Sequence, residues 1–354
     1  MSAENFYDKD SLNAFDSIFL AQKIAFGPMI FQTAICLRDF NILSYLDASK
    51  EGRTLEEIVT HSGLSQYSAS VLLDMGLSAY IVYQQSDKFF LTKTGYFLIH
   101  DEMTRINMDF TQHICYEGLF RLKESLQNNR AEGLKSLGPW ETIYPHLKDL
   151  NEQQKKSWFE YDHFYSDAAF SKALEKVLSL SPKHIFDIGG NTGKFAIACC
   201  EKVSELEVTI VDLHEQIGLA TENIRERGLL DRIHFYPTNI LTAETLPKGA
   251  DIYWMSQFLD CFSKEQIIAV LKLIKVNKMP DAKVCILDLF WNRQVFEAAT
   301  FSLNASSLYF TAIANGYSRF YHADEFKSYV EAAGLTVISE FDNVGLYHTL
   351  LICQ

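Results

Sequence analysis

Apolar residues recur at helical spacing through the first third of the chain. The stretch 18–46 follows this pattern and is interrupted at Gly27, which a proline follows. Thr54 is followed three residues later by Glu57, the spacing of a capping box, in which each residue satisfies a backbone N–H of the other. A helix is therefore predicted to begin after Thr54 and to end near Gly63.

A second helix and a hairpin are predicted next. The helix covers 65–80, and two short strand-like runs, 79–84 and 89–91, lie on either side of the polar turn 86–88. Helix, helix and hairpin in this order are typical of a winged helix. We expect this first domain to span 1–105.

The rest of the chain, 106–354, is predicted to form a second domain that begins with a helical part over 106–180. From residue 183 onward, strand-like apolar runs alternate with helical patterns. The seven predicted strands are 184–188, 207–211, 233–236, 251–255, 283–289, 336–341 and 347–352. Because helical patterns separate the first five, these should form a parallel α/β sheet, and the last two are close enough to pair as an antiparallel hairpin.

Composition and charge exclude several classes of protein. The net charge of -13 argues against a nucleic-acid binder and against an anionic membrane surface. The seven cysteines form no CxxC pair and several lie in apolar runs, which is typical of reduced thiols. The acidic N-terminal segment does not resemble a signal peptide, and no apolar run approaches the roughly 20 residues of a membrane span. We therefore expect a cytoplasmic protein with neither nucleic acid nor membrane as a partner.

The most informative segment is a glycine-rich turn that follows the predicted strand 184–188, in which Asp187 is the only charged residue. The turn residues are Gly189, Gly190, Asn191, Thr192 and Gly193. Glycines allow a sharp turn and bring bare backbone close to a ligand, and the helix predicted to follow offers free N–H groups to a ligand carboxylate. The glycine spacing does not fit a nicotinamide fingerprint, which disfavours a dehydrogenase.

Asp212 directly follows the second predicted strand, a position where a carboxylate can accept hydrogen bonds from both hydroxyls of a ribose. Taken alone, Asp212 could equally be a solvated carboxylate at a strand end, and the turn could be purely structural. Together they favour a nucleoside cofactor. No histidines or carboxylates stand at metal-ligand spacing, so no metal site is predicted.

At these residues the chain resembles the plant-type, caffeic-acid-like O-methyltransferases and their bacterial polyketide-tailoring relatives. The glycine turn resembles the family's cofactor motif, and Asp212-Leu213-His214 resembles its Asp-Leu-Pro motif. The segments 238–241 and 261–265 align with its next two motifs, and 333–335 resembles its closing Ala-Gly-Phe. The resemblance runs from about residue 25 to the C-terminus.

The resemblance implies a fold and an assembly. The fold is α/β, with a Rossmann-like methyltransferase domain built on a seven-stranded, mostly parallel sheet, preceded by an α-helical winged-helix dimerisation domain. The family's N-terminal domain swaps helices with its partner, so a homodimer is implied. A residue near Phe26 or Phe31 would then reach the partner's pocket.

The resemblance also implies a cofactor, S-adenosyl-L-methionine (SAM), which becomes S-adenosyl-L-homocysteine (SAH) as product. Asp212 would hold the ribose, Asn239 would help to frame the adenine, and Ser256 stands where many members have a lysine that contacts the methionine carboxylate. The full cofactor set implied is Asp187, Gly189, Gly190, Asn191, Gly193, Asp212, Leu213, Asn239, Ile240, Ser256 and Phe262.

The catalytic position departs from the family's pattern. The histidine that acts as general base in the family falls at Asp260, and a family glutamate that orients this histidine matches Asp288. A second family glutamate falls near Phe320 and is lost. Complete proton transfer from a phenol to an ordinary aspartate is uphill by about 6 pKa units, or ~8 kcal/mol. Other candidate bases are His163 and His322.

Three interpretations of Asp260 remain open at this point. It could be a base whose pKa is raised by burial and by Asp288. It could only orient the acceptor, with catalysis coming from proximity. Or the protein could bind SAM without methylating, as a hydroxylase-like or decarboxylase-like relative.

Several aromatic residues indicate the kind of molecule that accepts the methyl group. The residues predicted to line the substrate pocket are Tyr116, Trp158, Phe159, Phe164 and Tyr309. Planar apolar walls suit a phenolic or polyketide-like molecule, although any one of these could be ordinary core. A winged-helix regulator is the remaining alternative, and it is disfavoured because the helix predicted over 65–80 contains no Lys or Arg.

Overall fold

The computed structural model describes residues 6–354, apart from the side chains at positions 167, 168 and 219. Its contacts separate two compact units. One is Lys9–Gln112, and the other joins the segment through Asp8 to His113–Gln354.

The first unit is mainly helical and carries a small sheet. Its helices are α1 (Ala14–Ala25), α2 (Gly27–Asp39), α3 (Ile42–Asp47), α4 (Leu55–Ser62), α5 (Gln66–Ser78), α6 (Lys93–His100) and α7 (Glu102–Phe110). Its strands are β1 (Arg53–Thr54), β2 (Val82–Gln85) and β3 (Lys88–Leu91), which pair antiparallel in the order β1-β3-β2. α4, α5 and the β2–β3 hairpin follow one another in the predicted winged-helix order.

Local signals in the sequence determine where α4 lies. The Thr54 side chain accepts a hydrogen bond from the Glu57 N–H, and the Glu57 carboxylate accepts one from the Thr54 N–H at 2.7 Å. Gly63 ends the helix at φ +70°, in the left-handed region that glycine tolerates. Ile58 then faces a core shared with Leu73.

Helix α1 is unusual because none of its residues is buried. Phe15, Ile18 and Ile24 expose 87%, 64% and 72% of their surface. Among residues 6–354, no single helix has the length and hydropathy for a membrane span. The pair α1 and α2, bent by 70°, meets that criterion only when both helices are counted together.

The second unit is a doubly wound α/β domain. Its strands are β4 (His184–Ile188), β5 (Glu207–Asp212), β6 (Ile233–Pro237), β7 (Ile252–Ser256), β8 (Lys283–Asp288), β9 (Val337–Val344) and β10 (His348–Cys353). Its α-helices are α8 (Leu122–Asn128), α9 (Glu152–Leu178), α10 (Lys194–Lys202), α11 (His214–Glu226), α12 (Lys264–Asn277), α13 (Glu297–Tyr309) and α14 (Ala323–Ala332). Short 3₁₀ or π turns include Tyr144–Asp149, Leu259–Cys261, Trp291–Arg293 and Phe310–Ala314.

The seven strands form one sheet in the order β6-β5-β4-β7-β8-β10-β9. β4 to β8 are parallel, and β10 runs antiparallel between β8 and β9. The predicted fold class is therefore confirmed. The main difference is at β9, which the structure extends to Val344.

Both faces of the sheet are covered, which explains the near-continuous apolar runs of its central strands. One face packs α12 and α14 around Tyr253 and Phe326, and the other packs α10 around Trp254 and Phe195, whose rings stack at 4.2 Å. The polar residues that interrupt this pattern lie at the carboxyl ends of the parallel strands. In a sheet of this kind the ligand crevice lies at that edge.

Candidate functional site

The glycine turn after β4 requires bare backbone. Gly189 has φ +74°, and a Cβ atom there would lie 2.2 Å from Cδ2 of Phe258. At Gly190 a Cβ would lie 2.9 Å from Oδ2 of Asp187, and Gly193 again has a positive φ, +79°. A side chain is therefore excluded at Gly189 and Gly190, and the bare backbone there suits a closely held ligand.

Asp212, at the end of β5, organises this turn. Its carboxylate accepts hydrogen bonds from the Asn191 N–H at 2.9 Å and from the Leu213 N–H at 2.7 Å. Burial raises the pKa of Asp212, and these two donors lower it, with burial the larger effect. Each carboxylate oxygen keeps a further lone pair, so the group can still accept from ribose hydroxyls.

A partly open pocket lies beside the turn. Six residues predicted from the sequence line it, namely His163, Asp187, Gly189, Gly190, Asn191 and Ser256. Its lining also contains four polar residues that the sequence analysis did not assign, namely Asp162, Ser166, Lys194 and Gln257. Most of the predicted cofactor set at the first turn is thus brought together.

Buried polar atoms in this pocket fit the methionine half of SAM. Oδ2 of Asp187 and Oγ of Ser256 are buried and have no hydrogen-bond partner within the described part of the chain. Burial, and then the charge of Asp212, raise the pKa of Asp187 to about 7. Because an unsatisfied buried polar atom costs free energy, these atoms favour a ligand that carries amino and carboxylate groups.

The residues predicted to frame the adenine lie after β6. The Thr238 N–H donates to the Asp212 carbonyl oxygen at 2.8 Å, which ties this loop to the end of β5. Ile240 is buried, whereas Asn239 is exposed and its Oδ1 accepts from the Leu241 N–H at 3.0 Å. Together with Asp212, this arrangement is consistent with an adenosyl group lying along the strand ends.

Gln257, directly after β7, has an unusual environment. Its backbone is left-handed, at φ +45°. Its Nε2 donates to the Tyr165 carbonyl oxygen at 2.9 Å and lies 2.9 Å from Nε2 of His348 on β10. His348 is fully buried, and burial lowers its pKa to about 4, so the imidazole is neutral. The only sequence signal for it was one histidine in an otherwise apolar strand.

Two buried carboxyls mark the predicted catalytic position. Asp260 lies in the turn Leu259–Cys261 and is 4% exposed, and Asp288, at the end of β8, is 2% exposed. Within the described residues, Oδ1 of Asp260 and Oδ2 of Asp288 have no hydrogen-bond partner. The other oxygen of Asp288 accepts from the Leu289 N–H at 2.8 Å.

Burial is the main cause of a raised pKa at both carboxyls. For Asp260, the thiol of Cys261 opposes this effect and the charge of Asp162 adds to it. For Asp288, the charge of Asp260 raises the pKa further. Because two adjacent buried carboxyls cannot both ionise readily, the pair holds at least one proton over a wide pH range.

Two side-chain hydrogen bonds stabilise the turn that carries Asp260. Nδ2 of Asn315, which follows the π turn, donates to the Cys261 carbonyl oxygen at 2.8 Å, and the Tyr321 hydroxyl donates to the Phe262 carbonyl oxygen at 2.6 Å. The Phe262 ring packs edge-on against Phe258 at 4.9 Å. Asp260 is therefore presented by a rigid support.

Several predicted aromatic residues meet on and around α9. Nε1 of Trp158 donates to the Tyr309 hydroxyl at 2.8 Å in a buried pair. The rings of Phe159 and His163 lie 6.0 Å apart. The Phe164 ring packs on Tyr165, and Tyr116 is half-buried in the loop before Gly118.

The two histidine candidates differ. His163 lines the cofactor pocket, whereas Nδ1 of His322 accepts from the Asp324 N–H at 3.2 Å and caps α14. Asp162, beside His163, was missed by the sequence analysis, although its Oδ2 accepts from Asn191 Nδ2 at 3.2 Å. Within the described residues, no group of three or more His, Cys, Asp or Glu side chains could hold a metal ion.

Comparison with known proteins agrees with this geometry. A family model described as an O-methyltransferase domain matches residues 140–336, more than half of the chain, and one described as a Dimerisation2-like domain matches 19–89. An L-tyrosine C(3)-methyltransferase of Streptomyces lavendulae is 27% identical over 296 residues, covering 82% of this chain and 79% of that protein. A mitomycin biosynthesis 6-O-methyltransferase of the same organism is 26% identical over 43% of this chain and 41% of that protein.

Solved structures share the fold. The SAM-dependent methyltransferase SibL superposes with a TM-score of 0.71 at 19% identity, covering 94% of this chain and 97% of that one. The O-methyltransferase NcsB1 of neocarzinostatin biosynthesis, solved with SAH and 1,4-dihydroxy-2-naphthoic acid, superposes with a TM-score of 0.68 at 17% identity, covering 93% and 95%.

Proposed function

Because this chain belongs to the O-methyltransferase domain family, we propose that it methylates a hydroxyl group of a small phenolic or polyketide-like molecule, with Asp260 in place of a histidine base. Family membership confirms the resemblance, the enzyme class and the cofactor predicted from the sequence. The protein is a SAM-dependent methyltransferase that acts on small molecules. The hydroxyl acceptor and the role of Asp260 are the proposal.

The observation that carries the proposal is the buried, unpartnered Oδ1 of Asp260 at the position of the family's base. Burial raises the pKa of this carboxyl. Each unit of that rise removes about 1.4 kcal/mol from the cost of taking a proton from a phenol. The carboxylate is thereby brought towards the basicity that proton transfer from a hydroxyl requires.

When bound, SAM would supply an electrophilic methyl group to the acceptor oxygen, with SAH as the leaving group. Asp260, as a carboxylate, accepts the hydroxyl proton and releases it to solvent after the product leaves. Asp288 stays protonated through the cycle because its pKa is raised well above the usual range. Because Asp288 is then neutral, it adds no negative charge that would oppose the ionisation of Asp260.

The acceptor would lie against the aromatic residues predicted for the substrate pocket. The Trp158–Tyr309 pair offers a buried, planar wall, and a planar wall favours an aromatic acceptor. His163, on the cofactor side, is proposed to position the acceptor or the cofactor and not to replace Asp260. The dihydroxynaphthoic acid bound to NcsB1 is an acceptor of the expected class.

One observation favours carbon as an alternative methyl-accepting atom. The L-tyrosine C(3)-methyltransferase, named for a carbon acceptor, matches 82% of this chain. Removal of a phenolic proton by Asp260 would raise electron density at the ortho carbon as well as at oxygen. Transfer to carbon is completed when the proton on that ring carbon is lost and the phenolic oxygen is reprotonated, so the same base serves transfer to either atom.

The assembly and location are proposed with the activity. We propose a homodimer formed through the exposed face of α1 in a dimerisation domain of residues 1–105, with catalysis in 106–354, where residues 106–180 supply part of the substrate pocket. The match to a Dimerisation2-like domain supports the dimer, and a residue near Phe26 or Phe31 would reach the partner's pocket. All seven cysteines are free, which supports a cytoplasmic location.

The test combines acceptor screening with one substitution. The protein is incubated with SAM and a panel of phenols and hydroxynaphthoates, and products are followed by mass spectrometry for the gain of a methyl group. NMR of the product then separates O-methyl from C-methyl. Asp260→Asn should lower the rate about 10²–10⁴-fold and leave SAH affinity unchanged, and the exposed Asp281→Asn serves as a control.

Three outcomes discriminate between the proposals. An unchanged rate in Asp260→Asn would remove Asp260 as the base. A product methylated on carbon would select the second acceptor atom. Binding of SAH without methylation of any panel member would favour a SAM-binding relative that no longer methylates.

A further inference from the structure

The Gln257 amide is held in one orientation by two partners. Its Nε2 carries two hydrogens, one directed to the Tyr165 carbonyl oxygen and one to Nε2 of His348, both at 2.9 Å. A carbonyl oxygen can only accept, so the amide nitrogen must face Tyr165. Rotating the amide by 180° would place its oxygen against the Tyr165 carbonyl oxygen and lose that hydrogen bond.

His348 completes this arrangement because it is neutral. Its ring is fully buried, and burial disfavours the charged imidazolium. A neutral imidazole accepts at one nitrogen, and Nε2 is the ring atom that faces the amide. With Nε2 as the acceptor, His348 supports the amide orientation that the Tyr165 carbonyl oxygen requires.

The consequence appears on the other side of the amide. Gln257 lines the pocket beside the glycine turn. Both side-chain hydrogen bonds that it makes with the described residues come from Nε2, which leaves Oε1 as the amide atom available to a ligand. The same pocket contains the buried, unpartnered atoms Oδ2 of Asp187 and Oγ of Ser256. An amide oxygen, a carboxyl oxygen and a hydroxyl of residues that line one pocket are therefore available to bond a ligand.

We propose that Oε1 of Gln257 accepts a hydrogen bond from the α-ammonium group of the methionine half of SAM, and that His348 is a positioning residue that maintains this orientation. An ammonium group has three donors and no acceptor, so it requires oxygens around it. The left-handed backbone at φ +45° is uncommon for glutamine and places the side chain against this pocket. The inference rests on the family's cofactor and is independent of Asp260.

The test measures recognition of the amino group directly. The full-length protein is titrated calorimetrically with SAH and with the SAH analogue that lacks the α-amino group. Gln257→Leu should weaken SAH binding about tenfold or more, because a hydrogen bond to a charged group is lost, and should leave the affinity for the analogue within about twofold. The exposed Gln84→Leu is the matched control and should change neither affinity.

Two further variants examine His348. His348→Leu should reduce the preference for SAH over the analogue, and His348→Gln should restore it, since a glutamine oxygen can accept near the place of Nε2. The ratio of the two affinities within one variant is insensitive to a general loss of stability. If His348→Leu fails to fold, the ratio in Gln257→Leu still decides.

Either of two results would overturn the proposal. If Gln257→Leu weakens both ligands by the same factor, the residue only shapes the wall of the pocket. If it weakens neither, the ammonium is bound elsewhere. Because no methyl acceptor is used, neither result depends on the proposed reaction.

Discussion

Replacing Asp212 by alanine removes a carboxylate that has two tasks. It accepts hydrogen bonds from the Asn191 and Leu213 N–H groups, at 2.9 and 2.7 Å, and thereby holds the glycine turn. Its remaining lone pairs are proposed to accept from the ribose of the cofactor. The substitution therefore acts on the turn and on the ligand at once.

The expected magnitude follows from these contacts. A hydrogen bond to a charged group contributes roughly 1–3 kcal/mol, so the loss of the ribose contacts should raise the dissociation constant of SAH about 5- to 150-fold. Asp212→Asn keeps one accepting oxygen of the same shape, and its effect should lie between those of alanine and wild type. Loss of two acceptors for backbone N–H groups should also lower the melting temperature of the free protein.

Calorimetric titration with SAH measures the first effect, and titration with adenosine separates the ribose from the methionine half. Adenosine should lose affinity by a similar factor, because it keeps the ribose. Asp231→Ala, an exposed carboxylate in the same unit, is the control. Wild-type affinity for both ligands in Asp212→Ala would refute the placement of the ribose.

Three further predictions concern pH, packing and assembly. Burial raises the pKa of Asp187 to about 7, so the folded chain retains a proton that the unfolded chain loses near pH 4. Asp187 alone should therefore contribute a loss of stability of up to about 4 kcal/mol as pH rises through that range, and the raised pKa values of Asp260 and Asp288 act in the same direction. Urea unfolding at both ends of the range should show a smaller loss of stability for Asp187→Asn than for the wild-type protein. Gly189→Ala should abolish measurable SAH binding, because the new Cβ would clash with the Phe258 ring beside the turn. Gly228→Ala is the control: it has a similar φ of +67°, its Cβ would meet none of the described atoms within 4 Å, and it should cost only about 1–2 kcal/mol of stability. Similar SAH binding by both variants would contradict the close packing at Gly189. Ile24→Asp on the exposed face of α1 should convert the dimer to a monomer by light scattering, and an unchanged mass would place the interface elsewhere.

Local and periodic features were predictable from the sequence. The Thr54–Glu57 capping box and the glycine turn rely on residues close together in the chain, and Asp212 was found because it follows a strand-like run; the structure has all three where the sequence predicts them. The alternation of apolar runs likewise predicted all seven strands of the larger sheet, since strands buried on both faces need little else to be recognised.

Features that depend on distant contacts were missed. Gln257 and His348 are 91 positions apart and meet only because β10 lies near the end of β7. The histidine in β10 gave no sign of its partner. Asp162, next to His163, was not predicted as a site residue. The direction in which a side chain points from the 27-residue helix α9 depends on packing and not on periodicity. A single sequence does not show which residues far apart in the chain come into contact.

The order of the last strands restricts how the sheet can assemble. β10 follows β9 in the chain, yet it lies between β9 and β8. β9 can therefore join the sheet only through β10, and a proline at Leu351, which pairs with Ile286 on one side and Glu340 on the other, would detach two strands at once. Until β10 docks, the edge of β8 is open to strands of other molecules, so a delay at this step would favour aggregation over completion of the domain.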